Sequence, residues 1–116
     1  MSNINRINVG KRLSDMAVHH GVAYLAGQVA DDTTQDITGQ TGQILAVIDK
    51  LLAVAGTDKT RILMAQIFVA NMKEFDGMNK AWDAWVAEGN APPRATIEAR
   101  LASADYKVEI VVTAAV

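Results

Sequence analysis

Arg94 follows directly on Pro92-Pro93, a pair that forces extended backbone and so fixes the direction in which the next side chain leaves the chain. A guanidinium held this way suits two-point recognition of a small carboxylate. Glu109 lies inside the otherwise apolar run Lys107–Val116 (KVEIVVTAAV). An ionised carboxylate there costs on the order of several kcal/mol unless it finds a partner. Two roles are open to these residues: a structural ion pair with each other, or separate work on a bound ligand. Spacing alone favours the ion pair.

Other chemistry finds less support. The chain has no Cys, which removes thiol nucleophiles, thiolate metal sites and disulfides. His19 and His20 are adjacent, so on a strand they point to opposite faces, and no third His completes a zinc site. A metal centre is not expected. The eight glycines never assemble into GxGxxG or GxxxxGK, and no serine sits in a GxSxG elbow. Trp82 and Trp85 could stack a ligand, but their spacing fits the core stripe of a helix better. Most Asp and Glu side chains read as solvated surface.

Those groups must be positioned by two helices set among strands. One helix is predicted over Asp36–Ala55, where Ile37, Thr41, Ile44, Leu45, Ile48, Leu51, Leu52 and Ala55 recur at three- and four-residue intervals and Gly56 supplies the stop. The second follows Asn71, with Glu74 as its expected capping partner. Phe75, Met78, Trp82 and Trp85/Val86 form its stripe, and Gly89 its end. Ser14–His19 and Val22–Gln28 flank a His20-Gly21 turn, a hairpin pattern. Ile62–Ala70, Arg94–Leu101 and Lys107–Val116 complete a β-β-α-β-α-β-β order, with an extra strand allowed near Ile4–Asn8.

Two helices cover one face of such a sheet. Yet Ile62–Ala70 is apolar on both sides, and Val22–Gln28 and Val111–Val116 nearly so, whereas strands covered once should alternate. An α+β fold whose second sheet face is buried against other copies of the chain resolves the conflict. A ligand site at a seam between subunits then follows naturally.

The chain has 116 residues, 50% apolar and 21% charged, with a formal net charge of −2. That is one globular domain over residues 1–116, long enough to bury about two-thirds of its unfolded surface. Basic residues are spread out, which gives no electrostatic footprint for nucleic acid. No apolar stretch approaches the ~18 residues of a membrane span. Met1–Arg6 lacks the apolar core of a signal peptide, so a cytoplasmic location is expected.

Ala26-Gly27-Gln28, Gln40-Thr41-Gly42-Gln43-Ile44-Leu45, Ile67-Phe68-Val69, Met78-Asn79-Lys80-Ala81-Trp82, Pro92-Pro93-Arg94-Ala95-Thr96 and Lys107-Val108-Glu109-Ile110 occur in that order. Together they resemble the reactive-intermediate deaminase family (RidA, also called YjgF), and most closely its YoaB-like branch, over essentially the whole chain. The resemblance implies a chorismate-mutase-like α+β fold assembled as a homotrimer, with clefts between subunits. It also implies cofactor-free hydrolysis of enamine or imine intermediates, such as 2-aminoacrylate, to a 2-keto acid and ammonia.

By the same resemblance, Arg94 grips the substrate carboxylate and Glu109 holds the attacking water. Thr96, where relatives often carry cysteine, contributes its backbone N–H, and Asn79 and Gly27 lie near the cleft. Leu13 stands where many members have tyrosine, and Ala26 replaces a frequent cleft serine. The Arg94–Leu101 stretch is one residue shorter than usual. The alternative reading is a non-catalytic regulatory protein that binds a small keto or imino acid in the same cleft. Relatives have also carried a ribonuclease label, for which this chain offers neither a basic stripe nor a histidine at a motif position.

Overall fold

The computed structural model describes residues 3–116. Six strands form one sheet: β1 (Asn5–Val9), β2 (Ser14–His19), β3 (Val22–Leu25), β4 (Ile62–Val69), β5 (Arg94–Glu98) and β6 (Val108–Ala115). Their order across the sheet is β1-β2-β3-β6-β4-β5, antiparallel throughout except for the β4–β5 pair. Two helices, α1 (Ile37–Val54) and α2 (Phe75–Trp85), interrupt the strands. The expected chain order is therefore present, with β1 as the additional strand. Met1 and Ser2, the first residues of the stretch expected to lack a signal peptide's apolar core, lie outside the described residues. Among the described residues no helix is long and apolar enough to cross a membrane.

The apolar stripe of α1 explains why it forms and where it lies. Ile37, Ile44, Leu45, Ile48, Leu51 and Leu52 are all buried against Ile67, Val69, Val108, Ile110 and Val112 of the sheet. Asp36 starts the helix by accepting the Gly39 N–H at 2.9 Å. At the other end the Thr57 and Gly56 N–H groups close back on Leu52 O and Ala53 O, and Gly56 takes φ +82°, which a side chain would oppose.

The second helix differs from its sequence reading at both ends. Asn71 does cap, but it caps a 3-10 turn over Met72–Glu74 by accepting the Lys73 N–H, and Glu74 makes no reciprocal capping bond. α2 stops at Trp85, because Val86 is already extended; Gly89 belongs to a separate turn closed by Asn90 N–H to Ala87 O. Trp82 is buried, whereas Trp85 is only half-buried and donates its indole N–H to Asp49 at 3.0 Å. The helices meet closely at Gly77, where a Cβ would lie 2.8 Å from Ile37 Cγ2 and where Thr38 Oγ1 donates to the Gly77 carbonyl.

Counting apolar residues missed one core position. Gln40 is fully buried, and its amide donates toward Thr33 O, Gln35 O and Asp105 O while accepting the Lys107 N–H at 3.0 Å. It ties two loops to α1. Gln40→Leu strands these buried backbone groups, so urea denaturation is expected to show a loss of about 2–4 kcal/mol with the fold retained.

β6 buries every second residue (Val108, Ile110, Val112, Ala114) under α1, leaving Glu109, Val111, Thr113 and Ala115 on the open face. Pairing places Tyr24, Met64, Gln66, Phe68 and Ile97 on that same face. Tyr24, Met64 and Ile97 are 52%, 43% and 43% exposed. Such an apolar face calls for a partner surface in solution.

Candidate functional site

β5 is an edge strand, and its first residue is Arg94. Arg94 pairs in register with the fully buried Ala65, so its side chain leaves on the helix side of the sheet. There Nη1 donates to Asn79 Oδ1 at 2.8 Å, and Cζ lies 5.2 Å from the Trp82 ring and 6.0 Å from the Phe75 ring. Arg94 is half-buried.

Thr96 follows on the same strand. Ala65 N–H to Pro93 O and Ala99 N–H to Val69 O, both 3.0 Å, fix the phase of the parallel ladder. Residues 95 and 97 face β4, so the N–H groups of Arg94, Thr96 and Glu98 point outward from the edge. The Thr96 Oγ1 is itself buried without a hydrogen-bond partner. A cationic fork and a free backbone donor thus project from one strand end, a combination suited to a carboxylate.

Glu109 lies elsewhere. It pairs with Phe68 on the open face, and its carboxylate rests against Gly27, where a Cβ would stand only 2.9 Å from Glu109 Cδ. A side chain at 27 would have to displace the end of the Glu109 side chain. β3 explains the position: it pairs with β6 from Val22↔Ala115 to Tyr24↔Thr113, then resumes one residue out of step at Gln28↔Ile110. One extra residue is thus accommodated around Ala26-Gly27, a β-bulge. The strand expected to run unbroken over Val22–Gln28 is interrupted here. A run of small residues before Gln28 was the available signal.

The Arg94–Glu109 ion pair favoured by spacing does not form. The two residues sit on opposite faces, two strands and three ladder steps apart, about 14 Å between Cα atoms from standard strand spacings. Within one chain the structure brings Arg94, Thr96 and Asn79 together, and separately Glu109 and Gly27. Leu13 is exposed in the β1–β2 turn, two residues before Asp15, whose carbonyl accepts the Ala26 N–H beside Gly27. A groove of about 740 Å³ opens between the end of β4 and residues 99–106, but none of the five expected site residues lines it.

The histidines also depart from expectation. His20 has φ +50° and leaves the strand, so its ring packs edge-on against His19 at 4.0 Å instead of facing away. The His19 Nδ1 lies 3.3 Å from Asn3 O. Among the described residues no group of three His, Cys, Asp or Glu side chains is arranged to hold a metal.

A mixed six-stranded sheet with two helices on one face, a caged arginine at the edge and a glutamate over a bulged glycine define the class. The chain belongs to the YjgF/RidA family: the Ribonuc_L-PSP model, described as Endoribonuclease L-PSP, matches residues 3–116. It is 57% identical over 113 residues to a RutC family protein of Haemophilus ducreyi, covering 97% of each chain. RutC family protein YoaB of Escherichia coli is 45% identical, with 97% of this chain and 98% of that one covered. Among solved structures, NMB1025 from Neisseria meningitidis, a member of the YjgF protein family, superposes with a TM-score of 0.95 at 39% identity, covering 97% and 94%. A more distant relative from Salmonella typhimurium, 27% identical over 73% of this chain and 72% of its own, is named 2-iminobutanoate/2-iminopropanoate deaminase.

Proposed function

We propose that this protein is a cytoplasmic hydrolytic deaminase of reactive enamine and imine intermediates, converting 2-aminoacrylate-like imino acids to a 2-keto acid and ammonia. One domain over residues 1–116 assembles as a homotrimer, and each cleft takes Arg94 and Thr96 from one subunit and Glu109 and Gly27 from the next. The observation that carries the reading is the guanidinium of Arg94, held by Asn79 beside the outward Thr96 N–H. The deaminase name of the distant relative supports the choice of reaction. The opposite-face placement of Arg94 and Glu109, with the apolar open face, supports the shared cleft.

In this mechanism the substrate carboxylate docks on Arg94 through a charge-assisted bond of about 1.5–3 kcal/mol. The enamine tautomerises to the imine, and Glu109 orients a water toward the C=N carbon. As the C–O bond forms, the carboxylate takes the water's proton, a contribution on the order of 10²–10⁴-fold. Attack on the protonated imine gives a neutral carbinolamine. Glu109 returns its proton to the nitrogen, the C–N bond breaks and ammonia leaves as the hydroxyl closes to the ketone and passes its proton to water. Imines hydrolyse readily in water, so positioning and one base suffice.

The direct test is keto-acid release when 2-aminoacrylate is generated in situ: acceleration by catalytic amounts of protein is expected, and an unchanged rate would refute the activity. The Gly27 contact gives a second test. Gly27→Ala puts a methyl group where the Glu109 carboxylate lies, so kcat is expected to fall about 10- to 100-fold while pyruvate affinity, set by Arg94, changes little. Isothermal titration with pyruvate alongside turnover measures both.

A further inference from the structure

We propose that Trp82, assisted by Phe75, is a positioning residue for Arg94: its ring face holds the guanidinium plane at the angle from which the fork takes a carboxylate. The inference rests on the reading of Arg94 as the anion clamp. Phe75, Asn79 and Trp82 fall at positions i, i+4 and i+7 of α2, which places them on one helical stripe. That stripe meets Arg94 with one hydrogen-bond acceptor at 2.8 Å and two ring faces at 5.2 and 6.0 Å.

The acceptor alone underdetermines the fork. Asn79 fixes one nitrogen, and the guanidinium can still swing about that contact as a flexible side chain at a sheet edge does. A ring face removes the swing, since the cation is attracted to the electron-rich face and the flat group stacks along it. Trp82 itself cannot shift, because it is 5% exposed and packed into the core between the helices. Rigidity therefore passes from the core through the indole to the cationic group. A carboxylate meeting a fork already aligned loses less freedom on binding than one that must order it. Burial requires only apolar volume at position 82, whereas alignment requires an aromatic face.

The experiment compares wild type with Trp82→Leu, Trp82→Phe, Phe75→Leu and Arg94→Ala. Pyruvate Kd is read by NMR titration, KM and kcat by imine turnover, and mobility by the order parameter of the Arg94 Nε–Hε vector. Trp82→Leu is expected to weaken pyruvate binding and raise KM about 5- to 30-fold, with a smaller change in kcat. Its Nε–Hε order parameter should drop from the rigid range toward about 0.6. Trp82→Phe, which keeps a ring face, should stay within about 3-fold of wild type. Equal losses in the Leu and Phe variants would assign the effect to packing volume and overturn the proposal, as would wild-type affinity and order in Trp82→Leu. If Trp82→Leu does not fold, Phe75→Leu at the margin of the core decides by the same two readouts. If Arg94→Ala binds pyruvate like wild type, the clamp reading fails and the positioning role falls with it. If Arg94→Ala loses pyruvate but Trp82→Leu keeps wild-type affinity and order, the positioning role alone fails.

Discussion

Arg94→Ala is expected to bring imine deamination down to the background rate while leaving the subunit assembly intact. The charge-assisted bond to the substrate carboxylate accounts for about 10- to 150-fold of that loss. The rest comes from positioning, because an imino acid without its anchor no longer presents the C=N carbon to the water. Assembly should survive because the side chain faces α2 and not the apolar open face. Asn79 loses its partner, but it is only half-buried and can turn to solvent. Keto-acid release and native mass spectrometry on the same preparation check both halves. Full kcat/KM in the variant would remove Arg94 from the site. Arg94→Lys should restore little, since a point charge reproduces neither the fork nor its stacking on Trp82.

Activity should reappear when two dead variants are mixed. Arg94→Ala and Glu109→Ala each lose one half of the proposed site, and within one chain these halves lie on opposite faces of the sheet. If neighbours contribute them separately, trimers reassembled from an equal mixture contain clefts with both residues intact. Random exchange gives about one quarter of the wild-type sites over the whole mixture, and about one third in the trimers that hold both variants. Co-expression with two affinity tags, followed by turnover assay of the doubly tagged species, measures this. Activity no higher than that of either parent would contradict the shared cleft.

Much of this architecture was legible in the residue pattern. The α1 stripe runs from Ile37 to Leu52 as the spacing requires, and strand alternation in β6 named its buried half. Strands apolar on both sides identified a second surface to be covered, which the exposed Tyr24, Met64 and Ile97 now outline. Arg94 and Glu109 were identifiable as out-of-place charges. Their separation was not, because the face a residue takes depends on its register with a neighbouring strand, and register is a property of pairs of segments. Arg94 opposes Ala65 and Glu109 opposes Phe68, and nothing in either segment alone declares it. Gln40 escaped notice for a related reason: it fills a core position through bonds to loops 65 and 67 residues away in sequence.

The carboxylate resting on bare backbone at Gly27 makes two distant positions a single heritable unit. A lineage that acquired alanine at 27 would have to swing the Glu109 side chain aside or shorten it to aspartate. Drift at either place is therefore answerable to the other.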